Sequence, residues 1–419
     1  MEKILVKGGG KLKGEVNLSA AKNSVLPIIA ASILNGEQCV IENAPMLEDV
    51  FVLCKVLKSL NVDISINEIS NEVIINSKNI INIEASSDLI RKMRASFLIM
   101  GPMLSRFGHF KISLPGGCNI GSRPIDLHLK GFKALGAEID LDHGFVEATA
   151  TELRGNKIYL DFPSVGATEN IMMAAVLAEG ETIMENAAEE PEIKDLANYL
   201  IAMGAEIEGA GTDTIRIKGV KKLKPVKYRP IFDRIEAGTY MIAGAITNSN
   251  IIINGAEEEY LRPVIAKLSE CGVNIKINPH SIEVNGTGEL KPIDIKTMPY
   301  PGFPTDMQAQ MMSLLCLVPG TSIITETVFE NRFMHASELK RMGANIKIDG
   351  RAAIIEGVNK LSGSEVKATD LRAGAALILA ALNADGVTDI GEVYHIDRGY
   401  VKIEEKLQAL GADIKRIKV

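Results

Sequence analysis

Six segments of the chain are apolar on every side and rich in Ala, Met, Leu and Ile: VLPIIAASILNGE (25–37), SFLIMGPMLSRFG (96–108), ENIMMAAVLAEGE (169–181), TYMIAGAITNS (239–249), MQAQMMSLLCLVPG (307–320) and AGAALILAALNADG (373–386). A helix that is hydrophobic all round has no face to give to water and must be buried. The segments end at Gly36, Gly108, Gly180, Ser249, Gly320 and Gly386, 66 to 72 residues apart. A second series interleaves with the first. GFKALGAEIDL (131–141) returns as VLKSLNVDISI (56–66), YLIAMGAEIEG (199–209), KLSECGVNIKI (267–277), ELKRMGANIKI (338–348) and KLQALGADIKR (406–416). Each predicts the end of a half-polar helix, a Gly or Asn stop and an alternating strand with one wet face. The pattern is an internal repeat of about 70 residues.

Six such units place helices inside and sheets outside. Three units close one body around a helical core, so the chain predicts two domains with a cleft between them. The pattern breaks in KGVKKLKPVKYRPI, near residue 229. The predicted domains are 21–229, and 1–20 plus 230–419. The opening MEKILVKGGGKLKGEVNLSA reads as two short strands that complete the sixth unit, which otherwise ends after one strand.

The residues at the head of each buried helix are polar: Lys22 and Asn23; Arg94 and Ser96; Ser164, Thr168 and Glu169; Asp233, Arg234 and Glu236; Thr305, Asp306 and Gln308; Asp370 and Arg372. Capping accounts for Ser, Thr, Asp and Asn. It does not account for Lys22, Arg94, Arg234 and Arg372, which the helix dipole repels. An anionic ligand at these helix ends is the favoured reading, with accident as the alternative.

Lys and Arg total 46 against 53 Asp and Glu, a net charge of −7. A protein built to grip nucleic acid is usually basic, so no nucleic-acid partner is expected. The five cysteines form no CxxC and the six histidines no HxxxH or HxH, so neither a disulfide framework, a metal site nor a cofactor is expected. No apolar run reaches the 18–20 residues of a membrane span, and the opening residues lack a signal-peptide core. The chain reads as a cytoplasmic protein without a membrane partner.

Single loops carry candidate chemistry. In SLPGGCNIGSRPIDLHLKG (113–131), Cys118 sits among glycines beside Arg123. A nearby cation lowers a thiol's pKa, so Cys118 is either a reactive thiol or an incidental one. Cys54 and Cys316 read as inert core residues. Arg332 lies in VFENRFMHASEL (328–339) and Arg398 in VYHIDRGYVKIEEKL (393–407). Arg398 is either a ligand contact or a salt-bridge partner of Asp397 or Glu404.

The segments AAKNSVLP, RASF, LPGGCNIGSRPIDLHLKGF, SVGATENIMMAA, AAEEPEI, PGFPTDMQAQ, ENRFMH, ATDLRAGAAL and YHIDRGY follow one another in this order. In them the chain resembles, nearly end to end, the enolpyruvyl transferase family, in its UDP-N-acetylglucosamine 1-carboxyvinyltransferase branch. The resemblance implies an inside-out α/β barrel of two domains with the active site in the interdomain cleft. It implies transfer of the enolpyruvyl group of phosphoenolpyruvate to the 3-hydroxyl of UDP-N-acetylglucosamine, the first committed step of peptidoglycan synthesis and a target of fosfomycin, by a cytoplasmic monomer.

The same resemblance implies that Lys22, Asn23, Arg123 and Arg398 hold phosphoenolpyruvate. Cys118 becomes the thiol of a mobile loop, a proton donor able to form a covalent adduct. Asp306 becomes the general base beside the sugar hydroxyl, and Lys22 and Arg398 join it as catalytic residues. The nucleotide sugar would meet Arg94, Arg123, Pro124, Ile125, Asp126, Leu127, Ser164, Val165, Gly166, Asp306 and Val328. Asp233, Arg234, Arg332, Asp370 and Arg372 are further cleft candidates. Which group protonates the methylene carbon stays open, and so does an acceptor of the shikimate type.

Overall fold

The computed structural model describes residues 2–81, 83–85, 87–116, 121 and 125–418. Cys118, Arg123 and Pro124 lie outside the described residues. The chain forms two compact units, one from residues 20–116 and 125–231, the other from residues 2–19 and 232–418.

Within each unit three helices pack on one another. They are Lys22–Ala31, Met100–Phe107 and Val165–Ala175 in the first, and Arg234–Ile246, Gln308–Leu315 and Leu371–Leu382 in the second. Every residue of Gln308–Leu315 is buried, and every residue of Arg234–Ile246 but the first. The outer helices follow the amphipathic rule instead. Glu258–Glu270 buries only Leu261, Val264 and Leu268, one stripe at helical spacing.

Three sheets clothe each helix set. Five have four strands and one has three. In four of the five four-stranded sheets, the strand that follows a buried helix pairs antiparallel with a hairpin strand on one side, and in the fifth with Glu2–Lys7. On the other it takes a short parallel edge strand, as Ile251 faces Val284 and Gly14. Strand burial alternates, with Ile215 and Ile217 inside and Arg216 and Lys218 outside. The hairpin between Glu138–Asp142 and Phe145–Thr149 turns on His143 (φ 48°) and Gly144 (φ 83°), the two positive φ values that suit a tight right-twisted hairpin.

The recurring Gly or Asn after each outer helix has a single cause. Asn61, Gly136, Gly204, Gly272, Gly343 and Gly411 all take left-handed backbone, with φ between 67° and 104°. That conformation ends the helix and aims the chain into the strand, and it suits Gly and tolerates Asn.

One expectation needs correction. Glu2–Lys7 does complete the sixth unit's sheet, where Ile4 lies opposite both Ile390 and Arg416. Lys13–Asn17 does not; it runs parallel to Asn250–Asn254 in the fourth unit's sheet. The strand immediately before the fourth buried helix, Lys227–Tyr228, is given to another sheet, so the fourth unit's sheet takes its parallel edge from the N-terminal segment. The two edge strands are thus exchanged: Lys227–Tyr228 lies in the first unit's sheet, beside Val40 and Ile41.

Helix packing in the first unit depends on one small residue. The Gly101 N–H donates to Asn170 Oδ1 at 2.7 Å, and a Cβ at Gly101 would lie 2.2 Å from the Asn170 carbonyl oxygen. Gly101→Val is expected to force these two buried helices apart and cost about 1–3 kcal/mol or more. A denaturant titration checks it; an unchanged midpoint would show that the contact yields easily.

Candidate active site

Asp306 lies in the short 3-10 turn Thr305–Met307 that leads into the buried helix Gln308–Leu315. Its carboxylate is gripped from two directions. Arg332 Nη2 donates to Oδ1 at 2.6 Å. Arg372 Nε and Nη2 donate to Oδ2 at 3.2 and 3.0 Å. The guanidinium-bearing side chains are 3% and 2% exposed, whereas that of Asp306 is 26% exposed. Two buried cations therefore hold a carboxylate that still shows an edge to solvent. A carboxylate offers about four acceptor positions; three are taken, and the remaining one is on Oδ1. Burial pushes the Asp306 pKa up, but Arg372 and Arg332 outweigh it and hold the carboxyl well below the usual carboxylate range.

The clamp continues inward. Arg372 lies 5.4 Å from the ring centre of buried Tyr400. The Tyr400 hydroxyl meets Thr239 Oγ1 at 2.9 Å, and Gln310 Nε2 donates to it at 3.2 Å. The same Gln310 nitrogen donates to the Asp306 carbonyl at 2.9 Å. Outward, Arg332 Nη1 donates to Thr305 Oγ1 at 2.8 Å.

These contacts revise the helix-end argument. The charge of Arg372 at its helix N-terminus is met by Asp306, within the protein. Asp233 and Asp370 are caps: Asp233 Oδ1 accepts from the N–H groups of Ile235 and Glu236, and Asp370 Oδ1 from those of Arg372 and Ala373. Arg234 is half-buried, 5.6 Å from the Tyr300 ring centre. Arg398 closes the short helix Tyr394–Asp397. The carboxylates offered above as its partners, Asp397 and Glu404, are both held at 2.6 Å by Arg416. The Val328 N–H donates to Glu326 Oε1 at 2.9 Å.

In the other unit Lys22 opens its buried helix without a side-chain cap, and its ammonium pairs with Asp49 at 2.5 Å. Both are buried, so the repulsion of Lys22 by the helix end is offset by a carboxylate from the next helix. Asn23 beside it is half-buried. Ser164 caps Val165–Ala175 by accepting from the Ala167 N–H. Val165 and Gly166 begin that helix, in the turn whose N–H groups lack intrahelical acceptors and suit phosphate oxygens. A Cβ at Gly166 would lie 3.3 Å from the His128 ring. Ile125 is buried, Leu127 half-buried, and Asp126 exposed at the first position of the helix Asp126–Ala134. Arg94 opens a 3-10 turn, and its charge acts on His128.

Glu326, Gln310, Tyr400 and Asp49 were not singled out from the sequence, and Thr305 only as a polar residue at a helix head. Their roles come from pairing across distant segments, which leaves no signal in the spacing of residues. Cys39, Cys54, Cys271 and Cys316 are buried, and burial pushes the Cys54 and Cys316 thiols up to about 12. No helix among the described residues is long and apolar enough to cross a membrane.

Residues 6–407 match the sequence model of the family described as EPSP synthase (3-phosphoshikimate 1-carboxyvinyltransferase). Among solved structures, the chain is similar to the enolpyruvyl transferase NikO from Streptomyces tendae, with a TM-score of 0.90 and 26% identity over 100% of this chain and 99% of that one. EPSP synthase from Acinetobacter baumannii gives a TM-score of 0.78 at 19% identity over 100% of both chains, a likeness of fold alone. The fold is that of the enolpyruvyl transferases. The chain is also 69% identical over 417 residues to UDP-N-acetylglucosamine 1-carboxyvinyltransferase of Clostridium tetani, covering 100% of both. The enzyme of that name from Clostridium acetobutylicum is 64% identical over 417 residues, again covering 100% of both. The chain belongs to the EPSP synthase family of carboxyvinyltransferases.

Two buried histidines make stability depend on pH. Burial lowers the pKa of His335 to about 4, with Asp370 pulling it up and Arg332 pushing it down. Burial, then Arg94, lowers that of His128 to about 3. The unfolded chain binds these protons near pH 6.5 and the folded chain does not. The stabilisation is whole above about pH 6.5 and is lost as pH falls towards the folded values, at up to about 1.4 kcal/mol per pH unit for each histidine. Urea midpoints between about pH 7 and pH 4.5 check this. The decline should be shallower in His335→Gln, and a pH-independent midpoint would refute it.

Proposed function

We propose that this protein transfers the enolpyruvyl group of phosphoenolpyruvate to the 3-hydroxyl of UDP-N-acetylglucosamine and releases phosphate, the entry step of peptidoglycan synthesis. The acceptor is chosen by the end-to-end likeness to the clostridial enzymes, which carries the reading. The Asp306 clamp supplies the chemistry. The reading requires groups from both units to meet on the substrates, in a cytoplasmic monomer.

The sugar hydroxyl donates to the open acceptor position on Asp306 Oδ1. Held by two guanidinium groups, Asp306 is a weak base. It orients the hydroxyl first and takes the proton only as the C–O bond forms. The hydroxyl oxygen bonds to the enol carbon while the methylene carbon gains a proton, giving a tetrahedral phosphate ketal. The C–O bond to phosphate then breaks, the methyl carbon gives up a proton and the double bond returns.

Lys22, Asn23, Arg123 and Arg398 hold the phosphate and carboxylate of phosphoenolpyruvate, for which guanidinium forks are well shaped. Cys118 is the thiol that donates the proton or forms the adduct. Ser164, Val165, Gly166, Arg94, the 123–127 segment and Val328 hold the nucleotide sugar.

Phosphate release with UDP-N-acetylglucosamine and with shikimate 3-phosphate, each beside phosphoenolpyruvate, tests the reading. Release is expected with the nucleotide sugar alone. Asp306→Asn should lower kcat by about 10²–10⁴-fold, the range for a positioned acid–base group, and Cys118→Ser should turn over slowly. Release driven by shikimate 3-phosphate would overturn the acceptor. Unchanged turnover of Cys118→Ser would remove the thiol from the mechanism.

A further inference from the structure

We infer that Glu326 is a positioning residue for this reaction, fixing at once the direction of the Asp306 clamp and the Val328 loop. The inference rests on the reading of Asp306 as the group that faces the sugar hydroxyl.

Glu326 is 1% exposed, and both its oxygens are occupied. Oε2 accepts from Thr305 Oγ1 at 2.8 Å. Oε1 accepts from Thr297 Oγ1 at 2.8 Å and from the N–H groups of Val328 and Phe329 at 2.9 and 3.2 Å. An ionised carboxylate only accepts, so each hydroxyl that meets it must point its hydrogen inward. Thr297 obeys this, because its oxygen also accepts from the Thr327 N–H at 2.9 Å. Thr305 obeys it too. With its hydrogen given to Glu326, its lone pairs face Arg332 Nη1 at 2.8 Å. That bond fixes the plane of the Arg332 fork, whose other arm holds Asp306 Oδ1.

The other oxygen of Glu326 works on the loop. By taking the N–H groups of Val328 and Phe329 it turns this stretch of backbone so that those donors face inward. One buried carboxylate thus sets two elements of the sugar site that lie apart in sequence, Asp306 and Val328. Among the described residues no charged side chain pairs with Glu326 directly; the Arg351 guanidinium bonds instead to the carbonyls of Glu326 and Thr327.

Gln at 326 keeps the shape but presents an amide N–H₂ to Thr305. The hydroxyl then loses its acceptor, and the amide competes with Arg332 Nη1 for the lone pairs of the Thr305 oxygen. A displacement of about 1 Å at a reacting group costs on the order of 10²-fold in rate. Glu326→Gln and Thr305→Val are expected to lower kcat/KM for the nucleotide sugar by about 10–10²-fold. Both should move the acid limb of its pH profile upward, because Asp306 loses part of the Arg332 grip. Thr305→Ser, which keeps the hydroxyl, should restore both.

Asp306→Asn is measured alongside. If it turns over like wild type, the Asp306 reading fails. If it is slow while Glu326→Gln and Thr305→Val keep the wild-type kcat/KM and pH profile, losing only thermal stability, the positioning role alone is overturned. Should Glu326→Gln not fold, the Thr305 pair decides by the same criteria.

Discussion

A helix with no polar side has only its ends left for chemistry. This constraint organises each unit: three such helices need cover on every flank, the sheets provide it, and polar groups collect where the rods stop. The clearest outcome is at the head of Gln308–Leu315, where Asp306 meets Arg332 and Arg372. Buried ions are costly to desolvate, and their attraction offsets that cost only with good geometry and full hydrogen bonding. Here two guanidinium groups share one carboxylate, and Arg332 also donates to the Thr305 hydroxyl that is itself held by Glu326.

The clamp also bears on what Asp306 does. A carboxylate held so far below its usual range is poor at removing a proton by itself and good at fixing a hydroxyl in one direction. Its partly exposed edge, against nearly sealed arginines, gives a directed acceptor rather than a strong base. The two arginines set the character of Asp306 as an acceptor.

Much of the architecture was legible because it is repeated. The Gly or Asn stop recurs six times, since each outer helix ends on left-handed backbone, and the all-apolar segments betray the buried helices without any partner being known. The placement of Lys13–Asn17 was not legible: its edge pairing with Asn250–Asn254 carries no local signal. At the site, Asp306 and Arg372 stood out as polar residues at helix heads and Arg332 as a loop arginine, but their mutual pairing did not, because hydrogen bonds between segments dozens of residues apart leave no spacing in the chain. Lys22 suggested an anion, and the structure supplies one of its own in Asp49.

The position of Glu2–Lys7 bears on how the chain is assembled. This strand sits inside its sheet, between Val387–Gly391 and Asp413–Lys418, so a strand made before the inserted unit waits for strands made after it before that layer closes. The unit inserted between them has no such dependence and is free to condense during translation, whereas its host is governed by a pairing of very long sequence separation, the kind that slows folding. Synthesis order thus makes the middle of the polypeptide the first part to mature and its two extremities the final joint.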